Sequence, residues 1–501
     1  MEFLQYFGDV FTPVHLMILV LGTVGGLLLG ATPGLSPTMA VALLIPFTFQ
    51  MEPATSLIML GAVYTSTVAG GAVSGILVNI PGAPANIATI MDGHPMAQQG
   101  RATEALHYCF ISSLVGGLIG VVLLIFFTPK LAELALRFGP AELFWISIFG
   151  ITIIASLGGG SILKGLIAGC VGLWLSTIGY NPVLGEERFV FSEHLSGGIH
   201  VIAALIGLFA IPQVLNLVGT QSASRDKTSY AELRSHSVFK SMLYNLKRVK
   251  ALTIGTVVGC IVGVIPGAGG QIAGLVAYDQ TKKMSKDPSV FGTGEPDGVI
   301  AAESANNAMV GPSLVPLLTL GIPGSPTAAV LLGGLLINGL FPGPDLFTVH
   351  AKVTWTFIDS LLIGQVLMMV FGLMIARYSI FVTRISNNVM AAAVIVLAIF
   401  GTYSVQNSIS DVIVMMVLGT LMYFAARIGF SAAPLVLGLI LGQITETNFL
   451  QGRMIAGDDV WAYFLGGSIN KIVIAMSVLS IGYAIYNERK QIAKRRREAM
   501  A

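Results

Sequence analysis

Charge is what this chain of 501 residues has least of: Asp, Glu, Lys and Arg together make up 10%, against about 25% in a soluble domain. So few charges cannot cover a water-facing surface of this size. The shortage excludes a soluble globular enzyme, a disordered protein and a nucleic-acid binder. The first hundred residues hold no Lys or Arg, and their only acids are Glu2, Asp9, Glu52 and Asp92. Cysteine is scarce too. Cys109, Cys170 and Cys260 lie in apolar stretches without metal-ligand spacing and read as small packing residues. No basic region precedes the first apolar run, so no ordinary cleaved signal peptide is expected. There is no Gly-Lys dipeptide, hence no GxxxxGK[ST] phosphate loop, and no GxGD or HExxH protease motif. Ser74 has no evident histidine partner, and His200 has none at ligand spacing.

What is present is apolar. Hydrophobic residues make up 54%, and the mean hydropathy is +0.82. The apolar runs have roughly the length of membrane-spanning helices, not the alternating ~10-residue segments of a membrane β-barrel. The expected fold is an all-α polytopic membrane protein. The net charge of +2 hides an asymmetry. Residues 219–250 hold seven Lys/Arg against two acids, and residues 487–501 six against two, leaving the rest net negative. Such blocks mark cytoplasmic segments under the positive-inside rule.

The chain repeats itself. Residues 22–34 (GTVGGLLLGATPG) and 255–267 (GTVVGCIVGVIPG) share seven of thirteen positions, and IPGAP at 80–84 returns as IPGSP at 322–326. The offsets are 233 and 242. The second copy follows the basic 219–250 segment, whereas the first follows a start that carries no base. The two copies therefore enter the membrane from opposite faces, as inverted repeats do. This predicts a first membrane repeat over 1–218, a basic cytoplasmic linker over 219–250, a second repeat over 251–486 and a basic tail over 487–501. Each repeat contains a re-entrant hairpin (14–50 and 251–281) and a broken crossing (55–91 and 303–339). With the further crossings, near 105–127, 141–157, 161–178 and 197–218 and near 354–376, 389–402, 411–424, 431–447 and 468–486, the total is about eleven crossings plus two hairpins. Arg377, Arg384 and Arg427 fall on the cytoplasmic side. The N-terminus is expected outside and the C-terminus inside.

The breaks are where chemistry is expected. Irregular backbone at membrane depth is tolerated only where protein buries it or a watery cavity meets it. Helix N-termini there suit carboxylates, and exposed carbonyls suit Na⁺. The expected substrate residues are Ser36, Thr38, Asn79, Gly82, Asn86, Asn306, Asn307, Gly324, Ser325 and Thr327. The expected cation residues are Pro33, Gly34, Ser36, Pro266, Gly267 and Gly269. Each hydroxyl or amide also fits a second role, satisfying its own helix end. Glu303 reads as an acid opening a helix, and Asp92 as an interfacial turn residue. Asp359, inside a crossing, is open between an intramembrane functional acid and one near the outer interface.

The segments ATPGLSPT, NIPGAPANIATIMDGHPMAQQGRATEAL, GVIPGAGGQ and TLGIPGSPTAAVLLGGLLINGLFPGP resemble the large membrane subunit of the tripartite tricarboxylate transporters, the TctA family, over essentially the whole chain. The resemblance implies a secondary transporter in a bacterial inner membrane. Its partners would be a small membrane subunit and a periplasmic solute-binding protein. Its cargo would be a small carboxylate such as citrate, moved with Na⁺ or H⁺ and without an organic cofactor. AGDDVWAYF departs from the family's more usual Ser-Gly-Gly-Asp run, which leaves the roles of Asp458 and Asp459 open. The rival reading is an anion channel with re-entrant pore loops.

Overall fold

The computed structural model describes residues 2–157, 161–181, 185–192, 195–219, 236–267, 269–376 and 386–500. Arg377, Arg384 and most of the basic linker (220–235) lie outside these residues. Apart from one two-residue antiparallel pair, Gly179–Tyr180 with Glu187–Arg188, the described chain is helical. Eight of its helices are long and apolar enough to cross a membrane, and several shorter apolar helices accompany them.

Proline sets many of the helix starts. After a short helix α1 (Glu2–Tyr6), α2 (Pro13–Ala31), α3 (Pro37–Thr48) and α4 (Pro53–Val78) each open with Pro in the first turn. There its missing N–H costs nothing and its fixed φ suits the helix. α2 ends at Ala31, and the chain turns through Pro33 and Gly34, whose φ of 86° an L side chain rarely adopts. Then come α5 (Ile87–Gln98), α6 (Ala102–Ala135), α7 (Pro140–Leu157), α8 (Ile162–Ser176) and α9 (Val201–Gly219). The amphipathic α10 (Val238–Lys247) lies on α6, where Asn245 Nδ2 donates to the Tyr108 carbonyl (3.1 Å).

The same order of elements follows again. α11 (Val249–Val264) and α12 (Gly269–Lys283) form a hairpin. α13 (Pro296–Ala308) and α14 (Val310–Leu320) lead to a break, and α15 (Pro326–Ile337) leaves it. α16 (Ala351–Ala376), α17 (Asn387–Gln406), α18 (Ile409–Arg427), α19 (Ala432–Ala456), α20 (Val460–Leu465) and α21 (Ser468–Met500) complete the chain.

Matched contacts recur at the sequence offsets. A Cβ added at Gly30 would lie 2.5 Å from the Thr67 carbonyl oxygen, and one at Gly263 2.6 Å from that of Met309. Gly82 donates its N–H to Gly71 O (3.1 Å), as Gly324 does to Ser313 O (3.2 Å). Asn79 ends α4 with a φ of 58°, and Gly321 ends α14 with a φ of 72°. Packing also crosses between the halves: α3 lies against α15, α12 against the turn before α5, α6 against α13, and α16 against α4.

Two local expectations are corrected. The second broken crossing starts at Pro296, seven residues before Glu303, because Pro296 occupies the first turn. Glu303 is therefore in the helix interior and fully buried, not an acid at its start. Asp92 is also fully buried, within α5. Its Oδ1 accepts the N–H groups of Gly292 (2.7 Å), Gly294 (2.9 Å) and Glu295 (2.9 Å), and its Oδ2 accepts Tyr278 O–H (2.8 Å). It pins a distant loop instead of forming an interfacial turn. Beyond the crossing expected near 468–486, the helix begun at Ser468 continues through the basic tail to Met500, a stretch rich in strong helix formers.

Candidate functional site

Four helix starts converge on one cavity of about 430 Å³. Ser36, Pro37 and Thr38 come from α3, and Ala83, Pro84 and Ala85 from the turn entering α5. Gly269, Gly270 and Gln271 come from α12, and Ser325, Pro326 and Thr327 from α15. The rest of the wall is mostly apolar, with Val68, Phe209, Ile272, Leu275 and Met309, and it includes three polar side chains, Tyr64, Asn306 and Ser431.

The first turns of α3 and α15 are built alike. Pro37 and Pro326 have no N–H. The side chains of Ser36 and Ser325 accept from the third helical residues, Met39 N–H (3.3 Å) and Ala328 N–H (3.1 Å). The backbone carbonyls of the same serines take the fourth, Ala40 and Ala329 (3.0 Å each). In each first turn the second residue, Thr38 or Thr327, has an N–H that the helix does not use. The two threonine hydroxyls meet, Oγ1 to Oγ1, at 3.0 Å. Tyr64 O–H lies 2.8 Å from Ser325 Oγ and 3.3 Å from Ser313 Oγ. The serines are thus helix caps, and the threonines line the cavity beside them.

The expected residues divide into groups. Ser36, Thr38, Asn306, Ser325 and Thr327 line the cavity, as do Gly267 and Gly269. Neither amide atom of Asn306, fully buried, has a partner. Gly82 and Gly324 are packing positions: a Cβ at either would lie 2.6 Å from the carbonyl oxygen of Gly30 or Gly263. Asn79 is exposed at the end of α4. The Gly34 carbonyl accepts a hydrogen bond from Gln213 of α9, while Pro33 and Pro266 shape the two hairpin turns without lining the cavity. Asn86 and Asn307 face Glu303. The Glu303 carboxylate accepts from Thr89 Oγ1 (2.5 Å), Asn86 Nδ2 (3.3 Å) and Ser113 Oγ (3.2 Å), and Asn307 Nδ2 donates to Ser113 Oγ (2.7 Å).

Sequence reasoning passed over Tyr64, Thr89 and Ser113. Tyr64 had a signal, since the 242-residue offset pairs it with Asn306, another polar residue in an apolar helix. Asp359 is fully buried, and neither of its oxygens has a partner. Asp458 and Asp459 are exposed in the turn before α20.

A second, larger cavity of about 730 Å³ is lined by Gly321, Asp345 and Glu446. Glu446 is paired with Arg188 (2.5 Å) and accepts from Asn181 Nδ2 (3.1 Å). Gly321 is a helix C-terminus, and helix C-termini and acids repel an anion, whereas converging N-termini attract one. The smaller cavity is the better anion site despite its size.

Comparison with known proteins bears on the chain as a whole. The family model described as "Tripartite tricarboxylate transporter TctA family" matches residues 16–437. An Agrobacterium vitis protein, described as an uncharacterized 52.8 kDa protein in the TAR-I ttuC' 3' region, is 34% identical over 480 residues, 95% of this chain and 93% of the relative. An uncharacterized protein of the TAR-II ttuC' 3' region of the same organism is 33% identical over 237 residues, 47% of this chain and 98% of that relative.

Proposed function

Because the chain belongs to the tripartite tricarboxylate transporter TctA family, and so is a membrane transport component and not an enzyme, we propose that it imports a small di- or tricarboxylate such as citrate, bound in the cavity between Thr38 and Thr327. One observation carries this reading: four helix N-termini open on the same cavity. Free N–H groups and hydroxyls hold a carboxylate by fixed dipoles, without the strong ion pair that would slow release. Among the described residues lining that cavity there is no Lys or Arg.

Import is driven by cations. Each negative charge moved against an inside-negative potential costs about 2.3 kcal/mol per 100 mV, so a polyanion needs co-transported Na⁺ or H⁺. The hairpin-turn carbonyls near Gly267 and Gly269, beside the substrate, are one place for such an ion, with Pro33, Gly34, Ser36 and Pro266 their counterparts in the two turns. The two halves act as inverted repeats, the matched contacts at Gly30/Gly263 and Gly82/Gly324 supporting that view, and alternating access moves the cavity between the two faces. The N-terminus is periplasmic and the C-terminus cytoplasmic, in a bacterial inner membrane. A small membrane subunit completes the carrier, and a periplasmic solute-binding protein delivers the substrate.

The test is radiolabelled carboxylate uptake into proteoliposomes holding the membrane subunits, with the binding protein added outside. Saturable uptake that follows an imposed Na⁺ gradient is the expected result. Gradient-independent anion conductance would instead make the protein a channel.

A further inference from the structure

Glu303 is fully buried in the middle of α13, and among the described residues no ion pair reaches it. Its neighbours Asn86, Thr89, Ser113 and Asn307 are fully buried too. A buried carboxylate without a countercharge is costly even when hydrogen-bonded. Two oxygens on these side chains have no partner, Asn86 Oδ1, which faces Gly71, and Asn307 Oδ1. The cluster thus offers one carboxylate, two hydroxyl oxygens and two amide oxygens, with a single negative charge in all. Hard oxygen donors select hard cations, and one negative charge balances one positive charge.

We infer that Glu303, with Asn86, Thr89, Ser113 and Asn307, binds one monovalent alkali cation of the Na⁺ class. The inference rests on the carboxylate-import reading above and gives its coupling ion a charged site apart from the hairpin carbonyls. The site lies just behind the substrate cavity. Asn306, three residues after Glu303 on α13, lines that cavity, and so do Pro84 and Ala85, which directly precede Asn86. A cation held by Glu303 and Asn86 fixes the turn Pro84–Asn86, and the substrate rests on the same turn. Each ligand then strengthens binding of the other, because both order one element.

Thermal unfolding of the purified full chain tests this, with NaCl titrated against choline chloride at constant ionic strength, with and without citrate. The wild type is expected to gain stability with Na⁺. Glu303→Gln should abolish that gain. Ser113→Ala and Thr89→Val, milder changes, should weaken apparent Na⁺ affinity by about tenfold, and they decide the matter if Glu303→Gln does not fold. A Na⁺ response retained at wild-type affinity in all three variants would place the ion elsewhere and overturn the inference. So would a wild-type response that follows pH and ignores Na⁺, which would make the ligand a proton. A citrate shift without any Na⁺ shift would overturn the cation site and leave the carboxylate reading standing. A Na⁺ shift that depends on Glu303, without a citrate shift, would support the site and remove citrate as the substrate.

Discussion

Thr38 and Thr327, 289 residues apart in the chain, share a hydrogen bond of 3.0 Å between their hydroxyls. The bond joins the first turns of α3 and α15, one from each half of the molecule. Two hydroxyls in one hydrogen bond use one proton between them, so the second remains for a ligand. Carboxylate binding would draw both residues onto one anion.

Thr38→Val and Thr327→Val should each weaken carboxylate binding by about tenfold or more, since a hydrogen bond to a charged group contributes ~1.5–3 kcal/mol. The double variant should lose less than the two single losses combined, because the residues act as a pair. Uptake affinity measured for all three variants checks this. Strictly additive losses would mean that the hydroxyls serve different partners.

Ser36→Ala and Ser325→Ala, with Gly34 and Gly324 intact, each remove a helix cap at about 1 kcal/mol. The Ser325 variant should be the less stable, because it also loses the 2.8 Å contact with Tyr64 O–H. Both should lower transport, since the caps hold the threonines in place. Wild-type rates and affinities in both variants would show that the substrate binds elsewhere.

Gly30→Ala and Gly263→Ala should damage the fold to a similar degree, at roughly 1–3 kcal/mol each. In both cases the new methyl group faces a backbone carbonyl oxygen at 2.5–2.6 Å, and backbone cannot rotate away as a side chain can. The monodisperse yield after detergent extraction measures the effect. A large loss in one variant with none in the other would contradict the matched packing of the two hairpins.

Asp92→Ala should release the loop at residues 292–295. Three N–H groups lose a charged acceptor, and at ~1.5–3 kcal/mol for such bonds their hydrogen exchange should speed by more than about tenfold. Exchange mass spectrometry on peptides covering Gly292 and Glu295 provides the comparison with wild type.

Asp359→Asn should not destabilise the protein and should raise its melting temperature. The buried carboxylate has no partner on either oxygen, so removing its charge removes a desolvation cost without breaking a bond. A fall in melting temperature would mean that Asp359 holds an ion or a partner subunit in the assembled transporter.

The membrane class and the paired breaks were legible in the sequence. Both follow from local rules: apolar length, and Pro and Gly where a helix must end. The position of Glu303 was not legible, because a helix start seven residues upstream changes an apparent N-terminal acid into an interior one. Nor was the role of Asp92, whose partners lie two hundred residues away.

The sequence by itself determined which segments can leave water and where the backbone must break, because hydropathy and Pro-Gly chemistry act within a few residues. Only the tertiary structure decided which broken ends share a cavity. It placed Thr38 on Thr327 and turned Asn86 from the cavity toward Glu303. Those contacts depend on how helices hundreds of residues apart pack, and no local pattern encodes that geometry.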